Sequence, residues 1–359
     1  MIHSPLIQSR KRPLVIAGPC SAESREQLLE TCERLARTRA VDLLRAGLWK
    51  PRTRPDSFEG VGDRGLEWLR EARERTGLPT VTEVASSRHV EGVLHHALDG
   101  VWIGARTTVN PFLVQEIAEA VAGSHLQILI KNPMHPDVEL WAGAVERFLK
   151  VGIPIEHLAL VHRGFSTSNH WPYRNDPMWH LAFDMRRRFP ALPLICDPSH
   201  IAGDRALLHE VAQRAANLNF DGLIIESHRC PDEALSDARQ QITPEALGEL
   251  LRSVSWPSQC SFDAEYLRTL AACRSEIDQL DAEIFDLLSR RMQVADRIGR
   301  VKRENDVMIL QSDRWAEVVE RIVARSGELQ LSEHFLRTVL DAIHNESIEH
   351  QGKVMSNEQ

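Results

Sequence analysis

Short apolar runs alternate with longer amphipathic segments from Leu14 to about Val254. Segments such as Glu26–Arg39 and Pro111–Ala122 place apolar residues at helical spacing and therefore predict helices. The intervening apolar runs, which predict buried strands, are Leu14–Ala17, Leu43–Leu48, Thr80–Val84, Val101–Ala105, Gln127–Ile130, Leu158–Val161, Leu194–Cys196 and Gly222–Ile225. Eight strand–helix units predict an α/β fold, either a (β/α)8 TIM barrel or a doubly wound open sheet with the same periodicity.

Polar residues at the strand ends distinguish these two folds. The apolar runs are followed by Cys20, by Arg45 with Lys50, by Glu83, Arg106, Lys131 and Arg163, by Asp197 with His200, and by Glu226. In a barrel all of these strand ends converge on one face, where the catalytic residues of the fold lie. A single charge after a strand is usually a solvated loop residue, but this pattern on eight strands favours the barrel and predicts an active site.

The pattern changes after Glu249. Residues 253–261 show no periodicity, and the chain beyond them contains helical patterns only, at Ala264–Arg303, Ser312–Ala324 and Ser332–His350. We therefore expect a barrel (1–253), a linker (254–261), an all-α three-helix domain (262–352) and a disordered tail (353–359). Because the two shorter helices cannot cover the apolar stripe of the long one, the sequence predicts a homodimer through the helical domain, or a larger homo-oligomer.

A cluster of cations follows the second predicted strand. Arg45, Lys50 and Arg52 lie close together in sequence with Thr53 beside them, and Pro51 biases the chain towards an extended conformation. Like charges at this spacing repel one another unless an anion lies between them. The alternative is a basic loop that faces water, as most charge runs do.

The overall charge limits the partners of such a site. The chain of 359 residues has 43 Lys and Arg against 51 Asp and Glu, a formal net charge of −8. This balance argues against nucleic acid or an anionic membrane and points to small anionic ligands. Residues 1–12 lack the apolar core of a signal peptide, and the six cysteines form no paired motif. We therefore expect a cytoplasmic protein with reduced thiols.

Four dispersed residues are candidate metal ligands: Cys20, His200, Glu226 and Asp237. A thiolate, an imidazole and two carboxylates suit a divalent ion such as Mn, Fe, Co or Zn. Each residue also has an ordinary interpretation, since a lone cysteine is commonly a small buried apolar group and the others are common in loops. Sequence spacing alone gives this set little support, and a family resemblance strengthens it.

Residues 14–250 resemble a type I beta 3-deoxy-D-arabino-heptulosonate 7-phosphate (DAHP) synthase. The motifs that carry the resemblance are Ala17-Gly-Pro-Cys-Ser21, Lys50-Pro-Arg-Thr53, Ile103-Gly-Ala-Arg-Thr-Thr108, Leu129-Ile-Lys-Asn132, Arg163-Gly164, Asp197-Pro-Ser-His200, Ile225-Glu226 and Ala234-Leu-Ser-Asp237. The resemblance implies condensation of phosphoenolpyruvate with erythrose 4-phosphate at the head of the shikimate pathway. Ala46, Val109 and Ala238 depart from the usual pattern, but none of them removes a charged group.

The resemblance also implies roles for individual residues. The phosphoenolpyruvate anion would be held by Arg45, Lys50, Arg106, Lys131 and Arg163. Arg52 and Thr53 would bind erythrose 4-phosphate, and the metal on Cys20, His200, Glu226 and Asp237 would polarise its aldehyde. Lys50 would donate a proton to the new alkoxide, and Glu83 would order the attacking water.

Residues 262–351 resemble a type II chorismate mutase of the all-helical class. The residues that match its binding site are Arg274, Arg291, Lys302, Arg314, Ser347 and Gln351, and Gln311 occupies a further substrate-binding position. The resemblance implies rearrangement of chorismate to prephenate, with Lys302 and Gln351 facing the ether oxygen. On the long helix, Arg291 and Lys302 share a face, whereas Arg274 lies about 100° from Arg291 and is expected to reach into a partner's pocket. Gln311 and Trp315 stand where relatives often have aspartate and glutamate.

Taken together, these patterns predict a bifunctional enzyme. One alternative is a DAHP synthase whose helical domain mainly senses chorismate or prephenate, so that prephenate would be an inhibitor as well as a product. Another is a 3-deoxy-octulosonate 8-phosphate synthase, but Lys50-Pro-Arg-Thr53 argues against it, because that family usually carries a variant with asparagine there.

Overall fold

Eight parallel strands close into a barrel in which each strand is hydrogen-bonded to its neighbours in chain order. The strands are β1 (Leu14–Gly18), β2 (Leu43–Arg45), β3 (Thr80–Val84), β4 (Gly100–Ile103), β5 (Gln127–Lys131), β6 (Leu158–His162), β7 (Leu194–Cys196) and β8 (Gly222–Glu226). β8 pairs with β1 along all five residues from Leu14 to Gly18, which closes the barrel. This computed structural model describes residues 13–50, 57–167, 172–257, 263–310 and 312–356. It confirms the predicted barrel.

Helices connect successive strands on the outside of the barrel. They are α1 (Arg25–Arg37), α2 (Arg64–Thr76), α3 (Ser87–His95), α4 (Ala105–Thr108), α5 (Pro111–Val121), α6 (Val138–Lys150), α7 (Trp179–Arg188), α8 (Pro198–Ala202), α9 (Leu208–Asn217) and α10 (Pro244–Ser253). Several begin where a polar side chain accepts a hydrogen bond from the first turn, as Ser24, Asn110 and Thr243 do. Such caps satisfy backbone donors that lack a partner within the helix.

The strands are apolar on both faces because each face is buried against a different layer. Leu14 and Ile16 of β1 point into the barrel, where they join Trp102 and Ile224. Val15 and Ala17 point outward and pack beneath the surrounding helices. A strand buried on both faces reads as a continuous apolar run, which is why the sequence pattern identified all eight strands.

The loop after β2 differs from the prediction. The apolar run Leu43–Leu48 was expected to be one strand, but β2 ends at Arg45. Beyond it the backbone turns towards the β1 loop, where the Gly47 N–H donates to the Cys20 carbonyl at 3.2 Å. This turn brings Lys50 towards the barrel axis and the residues around Cys20.

The C-terminal helices form a second compact unit, with the division between units at Gln259 and Cys260. It contains α11 (Ala264–Glu304), α12 (Ser312–Val323), α13 (Ser326–Leu329) and α14 (Glu333–Ser356). α11 packs mainly on α14, through Met292, Ala295 and Gly299. At Gly299 the backbone of α14 approaches so closely that an added Cβ would lie 3.1 Å from the Gln351 Cα.

Three details of the C-terminal prediction need correction. The tail from residue 353 was expected to be disordered, but α14 continues to Ser356, partly because Arg303 Nη1 donates to the Val354 carbonyl at 2.9 Å. The linker was placed at 254–261, yet Val254 is buried in the barrel core. A fourth, short helix, α13, lies between the predicted second and third helices.

None of the described helices combines the length and the apolar character that crossing a membrane requires.

Gly18 allows a close contact between β1 and β2, and this contact can be tested. An added Cβ at Gly18 would lie 1.9 Å from the Arg45 carbonyl oxygen, so one of the two strands would have to shift. We expect Gly18→Ala to lower the free energy of unfolding by roughly 1–3 kcal/mol, as overpacked cores do. Thermal melting followed by tryptophan fluorescence would measure the change.

Gly143→Ala is the matched control. Gly143 lies within α6 with nothing within 4 Å of the added Cβ, so alanine should leave the stability unchanged or raise it by about 0.5–1 kcal/mol. Equal melting temperatures for Gly18→Ala and the wild type would contradict the proposed constraint.

Candidate active sites

A cleft opens at the carboxyl ends of the barrel strands. Its described lining consists of Lys50, Glu83, Trp102, Gly104, Ala105, Arg106, Lys131, Met134, Arg163, Arg174, His200 and Asp237. Seven of these residues were candidates from the sequence, and they come from seven different strands or the loops that follow them. The closed barrel brings them together because the ends of its parallel strands point to the same side.

Three of the four candidate metal ligands come together beside this cleft, and the fourth, His200, lies next to one of them. Donor atoms of Cys20, Glu226 and Asp237 all lie within 4.8 Å of one another. The Cys20 Sγ is 3.4 Å from the Asp237 Oδ2, and the His200 Nε2 is 3.8 Å from the Glu226 Oε1. The structure thus joins residues that lie up to 217 positions apart in the chain.

The chemistry of these donors fits a divalent cation. Burial, followed by the charge of Glu226, raises the pKa of the Cys20 thiol to about 12, so the chain alone keeps this thiol protonated. Burial lowers the pKa of His200, which favours the neutral imidazole that binds metals. A cation among one thiol, one imidazole and two carboxylates would stabilise the thiolate and offset the carboxylate charges.

Buried ion pairs surround these ligands. The Arg45 Nη2 lies 3.2 Å from the Glu226 Oε1, and the Lys131 Nζ lies 2.8 Å from the Asp197 Oδ2. Both cations also lie over the ring of Trp102, with the Arg45 Cζ 4.7 Å and the Lys131 Nζ 5.7 Å from its centroid. Arg45 is not among the residues that line the cleft, and its Nε and Nη1 are buried atoms without a hydrogen-bond partner among the described residues.

Asp197 also orients the histidine. Its carboxylate lies 2.9 Å from the His200 Nδ1. This contact places the hydrogen on Nδ1 and leaves Nε2 as the lone-pair nitrogen, which is the one that faces Glu226.

Lys50 and Glu83 lie on the same side of the cleft. The Lys50 Nζ donates to the Cys20 carbonyl at 3.0 Å. Burial opposes its charge, but the nearby Cys20, Glu83 and Glu226 outweigh burial and raise the pKa of Lys50. Gly104 makes room for Glu83, because an added Cβ at Gly104 would lie 2.0 Å from the Glu83 Oε1.

Three arginines occupy the outer part of the cleft: Arg106, Arg163 and Arg174. Burial lowers the pKa of Arg163 to about 10, with Asp197 opposing this effect and the positive charges of Arg174 and Arg106 adding to it. Arg163 is held in place by a 2.8 Å hydrogen bond from its Nη1 to the Asn175 Oδ1. Mutual repulsion of cations that are fixed in this way favours binding of an anion between them.

The second candidate site lies between α11 and α14 of the helical unit. Arg291 Nη1 donates to the Ser347 Oγ, and Lys302 Nζ donates to the Ile309 carbonyl. Gln351 is 8% exposed, and its Oε1 is a buried atom without a hydrogen-bond partner among the described residues. Burial lowers the pKa of Arg291, so this guanidinium would gain from a bound carboxylate.

Other residues of this candidate site lie further apart. Arg274 precedes Arg291 by 17 positions on one helix, a distance of about 26 Å along its axis. Arg274 therefore cannot share a pocket with Arg291 of the same chain. Arg314 is exposed and pairs with Glu317 at 2.9 Å. Trp315 stacks on His344 with ring centroids 3.9 Å apart.

Three predicted residues, Arg52, Thr53 and Gln311, lie outside the described residues. The sequence reasoning in turn did not identify Trp102, Arg174 and Asn175 as parts of the barrel site. Trp102 lies within an apolar run and looked like ordinary core. Arg174 and Asn175 lie in an irregular segment whose sequence carries no periodic signal, and only the fold brings them to the cleft.

Comparison with known proteins identifies the families of both parts of the chain. Residues 6–259 match the DAHP synthetase I family, and residues 273–352 match chorismate mutase type II. A phospho-2-dehydro-3-deoxyheptonate aldolase from Thermotoga maritima is 34% identical over 241 residues, which are 67% of this chain and 68% of the relative. A 2-dehydro-3-deoxyphosphooctonate aldolase from Desulfatibacillum aliphaticivorans is 30% identical, covering 66% and 89% of the two chains.

Solved structures give the same result. The crystal structure of the Thermotoga maritima DAHP synthase superposes with a TM-score of 0.60 at 32% identity, covering 68% of each chain. A truncated form of that enzyme gives a TM-score of 0.58 at 30% identity, covering 67% of this chain and 84% of the other. The protein is therefore an enzyme of the DAHP synthetase I family that also carries a type II chorismate mutase domain.

Proposed function

We propose that the protein is bifunctional. Its barrel condenses phosphoenolpyruvate with erythrose 4-phosphate to DAHP and phosphate, and its helical domain converts chorismate to prephenate. The observation that carries the barrel assignment is the meeting of four predicted anion-binding cations with metal-type donors in one cleft: Lys50, Arg106, Lys131 and Arg163. The substrates of both reactions are small anions, as the charge pattern of the chain predicts.

The cations would orient phosphoenolpyruvate. Lys131 and Arg163 are buried, and Arg106 is exposed at the rim. Charge-assisted hydrogen bonds from such groups are stronger in a dry cleft than in water. They would hold the phosphate and the carboxylate so that the enol carbon faces the incoming sugar. Arg45 supports this arrangement from below by its ion pair with Glu226.

Cys20, His200, Glu226 and Asp237 would hold a divalent metal such as Mn, Fe, Co or Zn. When bound, the metal would supply Lewis-acid polarisation of the sugar aldehyde. Asp197 keeps His200 in the tautomer that presents Nε2, as its contact with Nδ1 requires. Arg52 and Thr53 would bind the sugar phosphate by family resemblance.

The condensation forms one carbon–carbon bond and breaks one carbon–oxygen bond. The enol carbon of phosphoenolpyruvate attacks the aldehyde carbon, and the aldehyde oxygen takes a proton from Lys50. Water then adds to the carbon that carries the phosphate, and phosphate leaves with the bridging oxygen and with the proton of the new hydroxyl, which becomes the ketone. Glu83 would order this water and accept its proton, because it lies in the same cleft as Lys50.

A second barrel function has some support from the relatives. The 30% identical relative is named as a 2-dehydro-3-deoxyphosphooctonate aldolase. Its eight-carbon product would require a five-carbon sugar phosphate, whereas the heptonate needs a four-carbon one, because phosphoenolpyruvate supplies three carbons in each case. The higher identity to the heptonate aldolase favours erythrose 4-phosphate.

The mutase reaction needs no nucleophile, only a site that folds a flexible dianion and stabilises charge on its ether oxygen. Arg291 would bind one carboxylate, and Arg314 and Ser347 would line the pocket. Lys302 and Gln351 would face the ether oxygen by family resemblance, and the groups that can donate to it are the Lys302 Nζ and the Gln351 Nε2, which donates at 3.2 Å to the Ser347 carbonyl in the free protein. Arg274 of a partner subunit would bind the second carboxylate, and Gln311 would lie near the substrate hydroxyl.

We further propose that a second copy of the chain covers the long helix. Ile277, Leu280, Ile284 and Leu287 of α11 are all exposed, with more than half of each surface accessible. Their spacing of three, four and three residues forms one apolar seam, as in helices that pair side by side. The distance of Arg274 from Arg291 also fits a site completed by a partner.

The barrel function can be tested with the two sugars and a chelator. We expect product from phosphoenolpyruvate with erythrose 4-phosphate, and at least tenfold less with a five-carbon aldose phosphate. Stripping the metal with a chelator should abolish this condensation and leave chorismate turnover unchanged, because among the described residues the cluster of three potential metal ligands lies in the barrel. Preference for the five-carbon sugar would instead support the octulosonate reaction.

The mutase function can be tested by chorismate disappearance. Arg291→Ala should lower kcat/KM by about 10²–10³-fold, the usual effect of removing one charge-stabilising group. Arg325→Ala is a suitable control, since Arg325 pairs only with the nearby exposed Glu328 at 2.9 Å. If the wild type binds prephenate without turning over chorismate, the domain is a sensor that would inhibit the barrel.

The proposed dimer can be tested by sedimentation of the full chain. Ile284→Glu places a charge in the apolar seam and should convert dimers to monomers. Ala282→Glu adds the same charge on the opposite face of α11 and should leave the dimer intact. A monomeric wild-type protein would contradict the proposal.

A further inference from the structure

The described residues of the segment after β6, up to 167 and from 172 onward, are fixed by backbone hydrogen bonds. Phe165 and Asp176 exchange N–H to carbonyl hydrogen bonds of 2.8 and 2.9 Å. The Arg174 N–H donates to the Ala202 carbonyl at 3.1 Å. Gly203 permits this approach, since an added Cβ there would lie 2.3 Å from the Arg174 Cβ. The backbone of Arg174 is therefore held against α8, the helix that carries His200.

The side chain of Arg174 reaches from this segment to the loop after β8. Its Nη1 donates to the Asp237 Oδ1 at 3.1 Å and to the Gln240 Oε1 at 2.8 Å. Gln240 links Arg174 to a second carboxylate, because the Gln240 Nε2 donates to the Glu226 Oε2 at 2.6 Å. One arginine thus engages two candidate metal ligands, one directly and one through an amide.

These contacts use only one oxygen of each carboxylate. The other oxygen of Asp237, Oδ2, lies 3.4 Å from the Cys20 Sγ. The other oxygen of Glu226, Oε1, lies 3.8 Å from the His200 Nε2 and accepts no hydrogen bond from the described residues apart from its ion pair with Arg45. With these contacts in place, the Asp237 Oδ2 faces Cys20 and the Glu226 Oε1 faces His200. A cation that is shared by the four ligands needs this orientation of the two carboxylates.

Asp237 depends on this support because its backbone is unusual. Its φ is +47°, in the left-handed region that favours glycine. The position is not set by a regular element, since only a short 3-10 turn, Ala238–Gln240, follows it. A partly exposed salt bridge such as Arg174–Asp237 contributes little to the free energy of unfolding. Because Arg174 also reaches Glu226 through Gln240, its contacts suggest a role in the metal site.

We infer that Arg174 is a positioning residue, which holds Asp237 directly and Glu226 through Gln240 in the orientation that binds a divalent cation. This inference rests on the metal site proposed above. Partners of this kind around metal ligands typically affect metal affinity by 10–100-fold.

The test is a Co²⁺ titration of the full-length, metal-free protein, followed by the sulfur-to-cobalt charge-transfer absorption. We expect Arg174→Gln to weaken Co²⁺ binding by about 10–100-fold and to alter this absorption. Arg174→Lys should recover part of the affinity, since it restores a charged donor. Arg239→Gln is the control, because Arg239 lies in the same turn, is 84% exposed and pairs with Asp204 away from the cleft.

The outcomes separate positioning from other effects. Loss of the positive charge beside Asp237 would by itself raise the affinity for Co²⁺, whereas loss of positioning would lower it. Equal or tighter Co²⁺ binding by Arg174→Gln would therefore overturn the inference. A lower melting temperature of metal-free Arg174→Gln, but not of Arg239→Gln, would assign a structural role and also overturn it. Absence of Co²⁺ binding by the wild type would overturn the proposed metal site itself, whereas equal binding by both proteins would leave that site intact.

Discussion

The structure depends on a balance of buried charge at one end of the barrel. Arg45 and Glu226, and Lys131 and Asp197, are four ionisable groups with almost no exposed surface. Removing one partner of a buried pair commonly costs roughly 3–5 kcal/mol, since it leaves the other charge without compensation. The two cations share the face of Trp102 as well. These residues are therefore held by one another in the protein without a bound ligand.

The same charges support the anion binding that we propose for the cleft. Acidic groups in the base of the site are already engaged by Arg45, Lys131 and His200. Arg106, Arg163 and Arg174 line the same cleft, and burial, together with the positive charges of Arg174 and Arg106, lowers the pKa of Arg163. A bound metal would offset the negative charge of the carboxylate ligands, and bound phosphate or carboxylate groups would offset the positive charge of the arginines. The closed barrel makes this arrangement possible, because loops from most strands contribute to one opening.

The helical unit buries much less of its side-chain surface than the barrel does. Its long helix α11 has only three buried residues, so packing within the chain leaves most of the helix accessible. The candidate pocket near Arg291 and Gln351 is formed by α11 and α14, while Arg274 lies several turns away. A reaction that requires only a shaped, cationic pocket can be completed by a second subunit, since it needs no buried network like that of the barrel.

Local patterns in the sequence determined the barrel strands, most helices and the residue types at each strand end. Runs such as Thr80–Val84 and Leu194–Cys196 were predicted with their observed bounds, because burial on both faces leaves an uninterrupted apolar signal. Tertiary structure alone decided which polar residues meet. Arg174 reaches Asp237 across 63 positions, and α14 extends to Ser356 through a contact with Arg303. Such contacts depend on distances between elements, and a pattern along one chain cannot encode those distances.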